Sequence, residues 1–242
     1  MNRLIIVGSP RENGRSSALA EQLFEACIED CPNDELALAP VSTLDISGCV
    51  NCGACEEPPY FQPISVSSAE TPPNKAQATQ GAQGTRDTQG TRDTQGTQGT
   101  QGAKGAPRAY NDDIAEEFYS RCAIDDDMGE LYPLIDAADE LIVVSPVFFA
   151  GAPAQLKALL DRLQPYFWTS TRKQPKRPAV LHVVGEGGDP HGYEPLVTTV
   201  ASALSVAGFQ LETVYDWVGK ITDTGEITED AFVRNLLEDT HD

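Results

Sequence analysis

Basic residues are scarce in this chain: 17 Lys and Arg stand against 37 Asp and Glu, a net charge of −20 at pH 7. A surface of that sign repels nucleic acid and anionic membranes, so neither is an expected partner. Long apolar runs are also missing. The run Leu4-Ile5-Ile6-Val7 stops at Gly8, too short for a signal-peptide core. No stretch approaches the roughly 18–20 residues of a spanning helix, and a cytoplasmic protein is expected. No paired-carboxylate or Ser/His/Asp arrangement stands out, so hydrolysis is not indicated. Two familiar nucleotide loops fail as well. Gly8 and Gly14 stand alone where a dinucleotide fingerprint needs GxGxxG. Their spacing is one residue too long for GxxxxGK[ST], and Arg15 stands where the lysine would be.

What is present falls into two parts. Residues 57–110 are a low-complexity insert dominated by Thr, Gln and Gly. It has little to offset the cost of ordering a backbone, about 1–2 kcal/mol per residue, and is expected to be disordered. Between Pro58 and Tyr110 there are five Lys or Arg and three Asp or Glu, so the acidity belongs to the remainder. That remainder alternates. Strands are expected at 3–8, near 36–41 and at 140–145, 179–184 and 209–215. Helices are expected at 16–31, 128–138, from Pro153 with a Leu156, Leu159, Leu160 and Leu163 face, at 193–207 and at 229–237. Five strands with intervening helices make an α/β, doubly wound parallel sheet. Such sheets bind ligands beyond their carboxyl strand ends, where the strand order reverses.

Three loops fall at those ends. VGSPRENGRSS at 7–17 is rich in hydroxyls, and backbone N–H groups at a helix start with Arg11, Ser16 and Ser17 suit a compact phosphate monoester. The alternative is a plain turn with Ser16 as helix cap. Pro146 to Gly151 is apolar and aromatic and fits a flat ring, the alternative being that Phe148 and Phe149 simply cover the core. Gly185-Glu186-Gly187-Gly188 permits close backbone approach. Together they describe a site for a mononucleotide with a planar ring, which is FMN.

The six cysteines, without a signal peptide, argue for metal or redox chemistry rather than a disulfide framework. Cys49, Cys52 and Cys55 form a C-x2-C-x2-C array whose spacers let thiolates converge on one centre. Three thiolates hold a [4Fe–4S] cluster only with an open iron or a fourth ligand. Zinc, and cysteines that bind no metal, are the alternatives. Cys27 and Cys31 lie one turn apart on the first helix and read as helical burial. His182 reads as a core residue, His191 as at most a minor binding contact, and Tyr166-Phe167-Trp168 as core or subunit contact. Asp125 to Asp127 read as acids complementing a helix N-terminus.

GSPRENGRSS at 8–17, CAIDDDM at 122–128 and SPVFFAGAPAQLKALLDR at 145–162 resemble the NADPH-dependent FMN reductase-like group of flavodoxin-like proteins. The cysteines point to its iron–sulfur flavoprotein branch. The resemblance implies one flavodoxin-like FMN-binding domain over 1–242, with strand order 2-1-3-4-5 and the insert inside it. It implies that Ser9, Arg11, Asn13, Ser16 and Ser17 hold the FMN phosphate. Pro146, Val147, Phe148, Phe149 and Gly151 would line the ring, with Gly187 and Gly188 on its far side; the family usually carries Tyr where Phe148 stands. Cys122, just before Asp126-Asp127-Met128, would be the fourth ligand of a [4Fe–4S] cluster with Cys49, Cys52 and Cys55, although 66 residues separate it from Cys55. The implied function is electron transfer between FMN and that cluster, NAD(P)H, or both, with a small-molecule or ferredoxin-like donor or acceptor. Two other functions stay open: an NAD(P)H-dependent FMN or quinone reductase whose cysteines bind no metal, and a non-catalytic electron carrier. A homo-oligomer is expected from the family alone.

Overall fold

A computed structural model describes residues 1–56 and 122–238. These fall in one of two units into which the chain divides, Met1–Ile64 with Phe118–Asp242; the other, Ser65–Glu117, lies wholly outside the described residues, as does the insert expected at 57–110.

Asn2–Val7 forms β1, whose last four residues are buried. Successive strand side chains point to opposite faces. Leu4 and Ile6 accordingly join one core with Val143, Leu156, Leu159 and Leu181, while Ile5 and Val7 join a second with Leu19, Ala20 and Val144. The helix Arg15–Asp30 (α1) covers the second face. The helices Met128–Ala137 (α2), Ala154–Asp161 (α3) and Glu194–Val206 (α4) cover the first. The other strands are β2 (Glu35–Pro40), β3 (Glu140–Pro146), β4 (Arg177–Val184), β5 (Phe209–Asp216) and β6 (Phe232–Asn235).

The sheet runs β2-β1-β3-β4-β5-β6, its first five strands parallel and the sixth antiparallel to β5. The flavodoxin-like order is as expected, with one strand added. The helix expected at 229–237 is instead β6 and its flanks. Phe232 and Val233 are 65% and 52% exposed, so this segment buries no apolar helix face. What it does is pair with the open edge of β5, and unpaired backbone groups at a sheet edge outweigh weak local helical preference. The expected burial of Cys27 and Cys31 is also corrected: both are half-buried, at the outer end of α1. His182 is a core residue as expected. It stacks on Tyr215 with ring centroids 4.7 Å apart and accepts a hydrogen bond at Nδ1 from Trp217 Nε1 at 3.0 Å. Among the described residues no helix is long and apolar enough to cross a membrane.

Two close approaches set the frame of the site. A Cβ on Gly8 would lie 2.6 Å from Leu156 Cδ2, so α3 packs directly on the start of the first loop. The segment after β5 folds back through an Ile221–Ile227 bridge onto α1. There Gly225, at φ +86°, leaves no room for a Cβ against Ala18.

Candidate functional site

A cavity of about 560 Å³ opens at the carboxyl ends of the central strands, bounded by the segments that follow β1, β3, β4 and β5. One end is polar, with Ser9, Arg11, Gly14, Arg15 and Ser16. Ser9 Oγ accepts from the Arg11 N–H and donates to its carbonyl, both at 3.1 Å, and Ser17 Oγ donates to the same carbonyl at 3.0 Å. The serines thus hold the backbone on which Arg11 stands. Gly14, not Ser16, occupies the cap position of α1, and no side chain caps it. The first-turn N–H groups of α1 therefore face the polar end of the cavity without a side-chain acceptor of their own, a helix terminus suited to an anion.

Pro146, Val147 and Phe148 form an apolar wall, continued by Val184 and Val218. Phe148 and Gly151 exchange reciprocal N–H to carbonyl bonds at 3.0 Å, which closes a tight turn. Its two inner residues, Phe149 at φ 50° and Ala150 at φ 62°, adopt the left-handed conformation that L-residues avoid. The turn aims Phe149 fully into solvent and off the cavity wall. Gly187 and Gly188, at φ 91° and 84°, also line the cavity, with Glu186 and Asp189. Of the residues singled out from the sequence, Ser9, Arg11, Ser16, Pro146, Val147, Phe148, Gly187 and Gly188 line the cavity, while Asn13, Ser17, Phe149 and Gly151 do not.

Sequence reasoning passed over Arg15, Tyr193 and Asp216. Arg15 donates from Nη1 to Glu186 at 2.9 Å and from Nη2 to Asp223, while its buried Nε has no partner among the described residues. Tyr193 donates to Asp216 Oδ2 at 3.0 Å; burial, then the Asp216 charge, pushes its phenol up to about 12. Nothing local marks these groups, because their partners come from distant loops.

The cysteines gather elsewhere. Cys49 and Cys52 are exposed, Cys55 and Cys122 half-buried. Left-handed backbone at Asn51 and Gly53 turns the two spacers of the array. Burial pushes the Cys55 thiol up against a backbone hydrogen bond that lowers it, and Cys122, Cys49 and Cys52 each push it up further, so all three lie within electrostatic reach of Cys55. Among the described residues no three His, Cys, Asp or Glu side chains are arranged to hold a metal ion.

The two cysteine-bearing segments are laced together. Asp127 accepts from the Asp45 N–H at 2.7 Å, and Asp126 accepts from the Ser47 N–H at 2.9 Å. Asp126 also accepts from the Met128 N–H at 3.2 Å, a contact in keeping with an acid at a helix start. Its principal partner, however, is Arg162, and both side chains are buried. Burial alone would raise the Asp126 carboxyl; the bond from Arg162 and those from Ser47 and Met128 hold it below the usual carboxylate range.

A family model described as NADPH-dependent FMN reductase matches residues 101–217. An iron-sulfur flavoprotein of Methanosarcina thermophila is 58% identical over 41 residues, 17% of this chain and 22% of that protein. An iron-sulfur flavoprotein of Archaeoglobus fulgidus is 35% identical over 66 residues, 27% of this chain and 30% of that protein. The matched stretches thus span less than a third of the curated relatives' length. In structure, an azoreductase from Bacillus anthracis superposes with a TM-score of 0.51 at 14% identity, covering 93% of this chain and 91% of that one, a likeness of fold.

Proposed function

We propose, for a chain that belongs over residues 101–217 to the NADPH-dependent FMN reductase family, that it is a redox flavoprotein holding FMN in the cavity at the carboxyl ends of β1 and β3. The observation that carries this reading is the cavity's polarity: hydroxyls, two arginines and a helix start at one end, an apolar wall at the other. About 560 Å³ is within the range of cofactor sites. When bound, FMN would supply electron exchange between two-electron and one-electron partners. Arg11, Ser9 and Ser16 hold the phosphate; Pro146, Val147 and Phe148 shield one side of the ring; Gly187 and Gly188 let backbone approach the other.

The finer reading adds a [4Fe–4S] cluster on Cys49, Cys52, Cys55 and Cys122. Its support is that Cys122, despite the long separation in sequence, acts on Cys55 together with Cys49 and Cys52, and that hydrogen bonds join the segments bearing them. Four cysteine thiolates are the usual ligand set of such a cluster. The competing reading, an NAD(P)H-dependent FMN or quinone reductase without a cluster, is favoured by the exposure of Cys49 and Cys52. The test is an absorption spectrum of anaerobically purified protein with iron and acid-labile sulfide assays. Flavin with about four irons per chain supports the two-cofactor reading. Flavin without iron after reconstitution leaves the reductase, and absence of flavin overturns both.

A further inference from the structure

We infer that Arg162 is the positioning residue that makes the four cysteines one site, an inference that rests on the cluster reading above. Sixty-six residues lie between Cys55 and Cys122, so their covalent connection places the two segments at no particular distance. A non-covalent bridge has to do so. The Arg162 guanidinium reaches both segments from the end of α3. Nη1 donates to the Ser47 carbonyl at 3.0 Å, two residues before Cys49. Nη2 donates to the Ile124 carbonyl at 3.3 Å, two residues after Cys122. The same fork grips both oxygens of Asp126, at 2.7 and 3.0 Å, and Asp126 accepts a further bond from the Ser47 N–H. Two backbone carbonyls and one carboxylate thus converge on a single planar donor, a geometry that lysine, a point charge, cannot reproduce.

Burial makes the bridge rigid. Arg162 is 1% exposed, among the largest fully buried side chains. Its backbone carbonyl accepts from the Tyr132 hydroxyl at 2.7 Å, which ties the residue to α2, the helix that starts six residues beyond Cys122. Its Nε is buried without a partner among the described residues. Cys122 lies close enough for its charge to act on both Arg162 and Tyr132. A buried cation close to Cys122 also favours negative charge there, so the same group would position the ligands and act electrostatically on one of them.

The experiment compares wild type with Arg162→Lys and with the paired variant Arg162→Gln/Asp126→Asn, which avoids stranding a buried carboxylate. Each is purified without oxygen, reconstituted with iron and sulfide, and measured for FMN content, iron content, EPR signature and midpoint potential. The expected result is unchanged FMN stoichiometry in all three. The paired variant should lose most of its iron, at least a fivefold drop. Arg162→Lys should retain part of it, with an altered EPR signature and a shifted potential. Full iron with wild-type EPR and potential in both variants would overturn the inference while leaving the cluster reading intact. Wild type that takes up FMN but no iron would overturn the cluster reading, and this inference with it. Should the paired variant fail to bind FMN, and so fail to fold, Arg162→Lys decides by the same criteria.

Discussion

Arg15 donates from Nη1 to Glu186 at 2.9 Å, joining the first and third walls of the cavity across 171 positions of sequence. Glu186 and Asp223 are largely exposed, so this bridge adds little to stability. Exposed pairs contribute about 0–1 kcal/mol. Its effect should fall on the ligand, because Arg15 lines the polar end of the cavity. Arg15→Ala is expected to lower FMN affinity by about five- to tenfold, in line with loss of a charge-assisted contact, and to leave the unfolding midpoint almost unchanged. Flavin fluorescence titration and thermal unfolding measure the two. A large loss of stability with unchanged affinity would contradict the assignment.

Arg11 is held by Ser9 and Ser17 through its backbone, and its side chain stands in the cavity. If it forks the FMN phosphate, Arg11→Ala should weaken FMN binding by about tenfold or more, roughly 1.5–3 kcal/mol. Riboflavin, which lacks the phosphate, should bind wild type and variant alike. Equal FMN affinity in both proteins removes Arg11 from the site.

Gly8 sits where the first strand meets α3. Its missing Cβ is what lets Leu156 approach, and Leu156 is fully buried with no exposed side to yield toward. Gly8→Ala is expected to destabilise the fold by about 1–3 kcal/mol, the usual range for overpacking. Urea unfolding would register this, and Gly14→Ala, where no atom lies within 4 Å of a Cβ, is the matched control.

His182 is held neutral, its pKa lowered by burial to about 4. The unfolded chain titrates near 6.5, so protonation favours unfolding. The associated stability is complete above about pH 6.5 and is lost as pH falls toward 4, with an upper bound of about 3 kcal/mol. Imidazole proton shifts followed by NMR should place His182 near 4. Titration near 6.5 in the folded protein would show that Tyr215 and Trp217 do not enclose it as described.

Much of this architecture was legible without coordinates. The apolar run Leu4–Val7, the hydroxyl-rich loop behind it, the Leu156-Leu159-Leu160 face and the spacing of Cys49, Cys52 and Cys55 are local patterns. They follow from strand and helix periodicity and from short spacers, so neighbouring residues suffice to read them. Even the location of the cavity followed, because strand order determines where a parallel sheet has room for a ligand.

What the sequence could not disclose depends on which surfaces meet. The segment 229–237 became β6 because β5 presented an open edge, a fact about another part of the chain. Phe149 belongs to the ring-lining loop by position, yet the bonds between Phe148 and Gly151 turn it outward. Arg15, Tyr193 and Arg162 look like ordinary surface residues until the fold supplies Glu186, Asp216 and Asp126. Sequence by itself determined the five parallel strands, the helices between them and the kinds of chemistry on their loops. Tertiary structure alone decided which charges pair and which side chains face the cavity, because hydrogen bonds and ion pairs act over a few ångströms of space whatever the distance along the chain.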